Sequence, residues 1–209
     1  MGYYKLSSEQ LDVLKEIGNI GAGNAATSMS QLIDKRIHME VPSVKVVTFD
    51  EVTEMVGGPE QLIVAMFFRI YGEAPGSVYF ILTKEEAESL VLQMTSFADI
   101  DLLNHSNHLA ISALKEVGNI MTGSYLSALS DFININMQSS IPYLSIDMAG
   151  AVLTAGLIEL SHVSDYAIVI NTVINHSHAC NRLKGHFFLL PDLESFPKIF
   201  SALGIHDNG

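Results

Sequence analysis

A single cysteine, Cys180, stands in a chain of 209 residues, so no intrachain disulfide framework can brace the fold, and a reducing interior suits it. Positive charge is scarce: 11 lysines and arginines face 23 acidic residues, for a formal net charge of −12. Such a surface repels a phosphate backbone and argues against nucleic acid as a partner; its first use is solubility. Long apolar runs are missing too. The longest, LIVAMFF from Leu62, falls far short of the ~20 residues that cross a bilayer. The opening MGYYKLSSEQ has no apolar segment of the kind that directs export, and Leu6 stands where a myristoylation signal wants Ser or Thr. These shortages predict a cytoplasmic protein with no membrane insertion. Apolar residues nevertheless make up 48% of the chain, ample for a core.

What is present is a repetition. LKEIGNI begins at Leu14 and LKEVGNI at Leu114, an offset of 100 residues. At that offset Glu16 aligns with Glu116, Gly18 with Gly118, Asn19 with Asn119, Gly23 with Gly123, Ser30 with Ser130 and Pro42 with Pro142. The period is too long for a solenoid, whose units run ~20–50 residues, and reads as a duplicated half-domain. The expected arrangement is one domain over 1–209, built of half-repeats at about 8–95 and 107–205.

Each half spells helix, strand, helix, hairpin, helix. Ser7 with Gln10 forms a capping-box signature. Leu11, Leu14, Ile17, Gly21, Ala25, Met29 and Leu32 then share one side of a helix from about Ser8 to Ile33. Ile111, Leu114, Val117, Met121, Leu129 and Phe132 repeat the pattern from near Asn107 to about Phe132. Strand candidates follow the prolines: 44–49, 62–71 and 77–82 in the first half, 143–146, 166–174 and 186–190 in the second. Short helices are expected from Asp50 and Asp147, with closing helices capped by Thr83 and opened by Asp192, the latter kinked or shortened by Pro197. No Pro/Gly/Ser-rich linker divides the halves. The predicted class is α/β: pseudo-twofold duplicated half-domains, with long helices packed on a shared antiparallel sheet.

On the long helices, Asp12, Glu16, Asn19 and Gly23 fall on one stripe opposite the apolar face, matched by Ser112, Glu116, Asn119 and Gly123. A solvated face is the ordinary meaning of such a stripe, and glycine can also serve close helix packing. Yet asparagine is a mediocre helix former and glycine costs ~1 kcal/mol relative to alanine inside a helix. Both copies keep both. No nucleophile accompanies them. An amide offers an acceptor and two donors with which to hold a water, and a glutamate can pair with a lysine. Such a set can direct a water at a phosphoryl group whose metal and cations come from elsewhere, and a helix relieved by glycine suits a protein substrate.

The pattern Asp/Ser-x-x-x-Glu-x-x-Asn, followed after 22 residues by Pro, resembles the phosphatase signature of the CheC/CheX/FliY family of bacterial chemotaxis. Its two copies, without an added motor-switch domain, are most similar to the CheC type. The resemblance implies hydrolysis of the aspartyl phosphate on the response regulator CheY, with catalytic roles for Glu16, Asn19, Glu116 and Asn119. Each asparagine would orient the attacking water and each glutamate would pair with a lysine of the regulator. Asp12, Ser112, Gly23 and Gly123 would support docking of phosphorylated CheY, and the prolines would shape the fold behind the helix. No cofactor of its own is implied, since Mg2+ would come with the bound CheY. The resemblance also implies a second partner, the receptor deamidase CheD, for which Asp147, Met148, Ala151 and Val152 are the candidate dock, with Ala149 and Gly150 also exposed for close approach. That small-residued helix reads equally as an ordinary buried one. The protein is expected to be monomeric alone. A non-catalytic adaptor for CheY-phosphate and CheD is the alternative, and a purely structural duplication leaves the polar stripe unexplained.

His176, His178 and Cys180 have a spacing that could hold a soft metal, but no fourth ligand follows in a zinc pattern, and a solvated loop is expected instead. The glycines at 21 and 23 follow no strand and open no nucleotide-binding fingerprint.

Overall fold

The computed structural model describes residues 6–95, 100–103, 107–160, 166–176 and 182–203. Its elements in chain order are α1 (Ser8–Ile33), β1 (Ile37–Thr48), α2 (Phe49–Met55), β2 (Leu62–Gly72), β3 (Gly76–Thr83), α3 (Lys84–Met94), α4 (His108–Ile133), β4 (Met137–Ser139), β5 (Tyr143–Met148), α5 (Ala149–Leu160), β6 (Tyr166–His176), β7 (Leu183–Pro191) and α6 (Ser195–Ala202). The long helices open and close as their sequences direct. Ser7 Oγ accepts from the Gln10 N–H, and Gln10 Oε1 accepts from the Ser7 N–H. At the other end Asp34 and Asn134, again 100 residues apart, both take the left-handed conformation that short polar side chains tolerate.

The strands form one antiparallel sheet in the order β1-β6-β7-β3-β2-β4, with β5 also paired to β2. The order is a palindrome of the two halves. The hairpins β2-β3 and β6-β7 meet through β3 and β7, and the first strand of each half crosses over to complete the other half's hairpin. Alternate strand residues serve opposite faces. Met66, Phe68, Phe80, Ile168 and Phe187 pack beneath α1, α4, α3 and α6, whereas Ile63, Ala65, Ile81, Val169 and Phe188 pack beneath α2 and α5.

Three departures from the sequence-based expectation have local causes. The strands do not wait for the prolines: β1 begins at Ile37, and β4 precedes Pro142. Leu32 and Phe132, expected on the buried side, are 52% and 55% exposed, because in the last turn it is the neighbouring Ile33 and Ile133 that face the core. Asp192 does not open the last helix. Its carboxylate is taken by Arg69 in a two-pronged pair, so α6 starts at Ser195 and Pro197 falls in its first turn, where a missing N–H costs nothing.

Candidate functional site

The prolines explain how the repeated asparagines are placed. In β1, Glu40 lies opposite Val173 and Ser43 opposite Asn171, so Val41 and Pro42 together face only Thr172. This is a bulge, where proline's missing N–H breaks no ladder bond. The freed N–H of Val41 donates to Asn19 Oδ1 at 2.9 Å. Asparagine and bulge are 22 residues apart because the helix must end, turn and run back along the strand to bring them together. The Asn19 amide closes a second bond, Nδ2 donating to the Lys15 carbonyl at 3.1 Å, one turn back. Asn19 is half-buried.

The second copy shares the bulge and lacks the bond. Ser139 lies opposite Ile70 and Tyr143 opposite Phe67, leaving Ser140, Ile141 and Pro142 to face Phe68 and Arg69. Here Ser140 takes over the pairing: its N–H donates to the Arg69 carbonyl at 2.8 Å, and its Oγ accepts from the Arg69 N–H at 3.0 Å. Ile141, the counterpart of Val41, is 87% exposed where Val41 is buried. Asn119 is exposed, and no hydrogen bond to its amide is recorded among the described residues.

Glu16, Glu116, Asp12 and Ser112 are all exposed along the same stripe. Among the described residues no ion pair engages either glutamate, which leaves both carboxylates able to meet a cation on a partner. Ser112 Oγ donates back to the His108 carbonyl at 2.9 Å, and since serine is neutral the first site alone, through Asp12, offers a charged group at that position. The glycines divide by role. A Cβ on Gly21 would stand 2.6 Å from Tyr125 Cδ1, and one on Gly118 would stand 2.7 Å from Met66 Sδ; these two permit close packing. A Cβ on Gly23 or Gly123 would meet nothing within 4 Å. Intramolecular packing therefore does not account for the two glycines on the polar stripe.

The four candidate residues for a second dock straddle an element boundary. Asp147 and Met148 end β5 rather than begin α5, and both are exposed; Asp147 Oδ1 accepts from the Met148 N–H at 2.7 Å. Ala151 is exposed and Val152 half-buried against the α2 side of the core. The neighbouring Ala149 is fully buried and Gly150 abuts Pro59, so these two are not free for the close approach expected of them. The His-x-His-x-Cys segment extends from the last residue of β6 into 177–181, outside the described residues. Among the described residues no three His, Cys, Asp or Glu side chains gather as a metal site, and no helix is long and apolar enough to cross a membrane. The residue that sequence reasoning missed is Val41, whose contribution is a backbone N–H; the spacing to Pro42 was its only signal.

The model of the CheC-like family matches residues 9–46 and 109–145, the two helix-and-bulge units just described. The chain is 42% identical over 200 residues to the CheY-P phosphatase CheC of Bacillus subtilis, covering 95% of this chain and 96% of that one. Among solved structures, Thermotoga maritima FliY superposes with a TM-score of 0.74 at 20% identity, covering 95% of this chain and 98% of that one. The chemotaxis protein CheX from Desulfovibrio desulfuricans does so with 0.51 at 18% identity, covering 83% and 99%. These two likenesses concern the fold.

Proposed function

Since the chain belongs to the CheC-like family, we propose that it is a protein phosphatase of bacterial chemotaxis that hydrolyses the aspartyl phosphate of the response regulator CheY. One observation carries the reading: the Glu, Asn and Gly of the duplicated motif share one helical stripe that reaches the surface in both copies, with bare glycine turns that no internal contact requires. Glu16 and Glu116 pair with a lysine of the regulator and fix the pose. Asn19 and Asn119 enter the regulator's site, where the amide holds one water in line with the phosphorus. The water oxygen bonds to phosphorus as the P–O bond to the aspartyl carboxyl breaks. Aspartate leaves as carboxylate, and the water's proton goes to solvent. Asp12 and Ser112 flank the docking helix, and Gly23 and Gly123 let the regulator approach the backbone. Mg2+ arrives with the regulator, and the protein supplies none. Because an acyl phosphate is already labile, fixing one water supports an acceleration of about a hundredfold, about 2.7 kcal/mol.

The test is the decay of phosphorylated CheY with and without the protein. Asn19→Ala combined with Asn119→Ala should return the decay to its spontaneous rate with the fold intact; normal turnover in that variant would sink the mechanism. Binding of phosphorylated CheY without any acceleration in the unaltered protein would instead establish an adaptor. The exposed corner at Asp147, Met148 and Ala151, with Val152 beside it, is the proposed dock for CheD. Reversing the charge with Asp147→Lys should weaken CheD capture and leave CheY dephosphorylation untouched, both measured on the same preparation.

A further inference from the structure

We propose that the first site carries a built-in latch: the backbone N–H of Val41, exposed by the Pro42 bulge, holds the Asn19 amide withdrawn against the protein until a regulator displaces it. The inference rests on the phosphatase reading and concerns control of one of its two sites.

The orientation of the amide is unambiguous. The Val41 N–H can only donate and the Lys15 carbonyl can only accept, so Oδ1 faces the bulge and Nδ2 faces the helix. The two contacts engage the carbonyl oxygen and one of the two N–H donors that an amide uses to hold a water, and they fix the direction in which the rest of the group points. Asn19 cannot keep both and reach into a partner's site. Asn119 has no such restraint: it is exposed, its Ile141 counterpart projects into solvent, and the bulge beside it is served by Ser140 instead. The difference follows from a single feature of each bulge, namely whether the residue before the proline is buried. Val41 packs inward over Gly18, whose absent side chain leaves Val41 Cγ1 only 3.3 Å from where a Cβ would be. That packing aims the N–H at the helix. Engagement at the first site must exchange both bonds for contacts with the regulator. At the ordinary net strength of one neutral hydrogen bond, the Val41 contact alone lowers the first site's rate about fivefold to tenfold at a limiting concentration of protein.

The donor can be deleted without changing any side chain by placing the α-hydroxy analogue of valine at position 41, which turns the amide into an ester. In full-length protein carrying Asn119→Ala, so that only the first site acts, the ester should speed decay of phosphorylated CheY about fivefold to tenfold. An unchanged or slower rate overturns the latch, a slower one meaning that the N–H positions the amide for reaction. Amide hydrogen exchange gives a readout that needs no activity. Val41 should be protected in the unaltered protein and exchange about tenfold faster in Asn19→Ala, with Val44, paired to Ile170 in the ladder, unaffected. Equal exchange at Val41 in both proteins overturns the contact itself. If the unaltered protein never accelerates CheY dephosphorylation, the phosphatase reading has failed and the latch falls with it as a control. The exchange data then report the Asn19–Val41 contact alone.

Discussion

The two halves of the molecule are alike along their outer stripe and unlike beneath it, and the differences inside account for the differences outside. In the first half Gly21 and Ala25 make a shallow helix surface; in the second the same positions are Met121 and Tyr125. Tyr125 fills the space that Gly21 leaves, lies 4.8 Å from the Phe187 ring between centroids, and bonds through its hydroxyl to Thr172 on β6 at 2.8 Å. Thr172 is the residue that faces the Val41–Pro42 bulge. The second helix thus braces the strand that lies opposite the first half's bulge. At the second bulge the support is of another kind: Arg69, paired to Ser140, is held from behind by Ser77 and Asp192, and Ile141 itself stands in solvent. A duplicated motif has come to rest on two different supports.

Breaking the interior contrast should have the largest effects. Burial pushes the Tyr125 hydroxyl up to about 12, against an ordinary 10.0, and outweighs the opposite pull of the bond to Thr172. The unfolded chain releases this proton near pH 10 and the folded one keeps it to about 12. The associated stability, about 2–3 kcal/mol, is therefore whole below pH 10 and lost as pH rises through 12. Urea titrations between pH 9 and 12 should show that loss in the unaltered protein and a shallower one in Tyr125→Phe. Gly21→Ala should cost ~1–3 kcal/mol, because its Cβ would also stand 3.0 Å from Tyr125 Cα, which cannot move without parting the helices. Breaking the outer contrast is gentler. Single variants should be unequal, Asn119→Ala removing most of the acceleration of CheY decay and Asn19→Ala less than half. Equal losses would mean that the two supports do not matter to the chemistry. Smallest of all, Gly23→Ala and Gly123→Ala should each raise stability by ~0.5–1 kcal/mol, visible as a higher Tm, while slowing dephosphorylation. Unslowed decay would remove the bare turns from the docking surface.

Much of this was legible in the letters. The extents of α1 and α4, the capping boxes at Ser7 and Thr83, and the hairpin that closes on the Gly72–Gly76 turn are local matters, written in periodicity and hydrogen-bonding side chains a few residues apart. The stripe from Asp12 to Gly23 and its copy were equally readable, since a helix converts spacing into a shared face. The boundaries that failed were those decided at long range. Asp192 has the local marks of a helix start because aspartate caps helices, but Arg69, 123 residues away, takes its carboxylate. The β-branched run at 44–49 marks only the later part of β1; the ladder reaches back to Ile37 and takes up Pro42 in a bulge.

By itself, then, the sequence determined that there are two equivalent polar stripes, which residues lie on them and how far each asparagine stands from its proline, because helical periodicity needs nothing beyond the chain's own order. What that last distance is for emerges only when the halves are packed together. The Val41 N–H belongs to the backbone and has no letter. Whether it meets Asn19 depends on the burial of Val41 under Gly18 and on a strand from the other half lying opposite the bulge, and a hydrogen bond requires both groups in one place, which sequence spacing alone cannot supply.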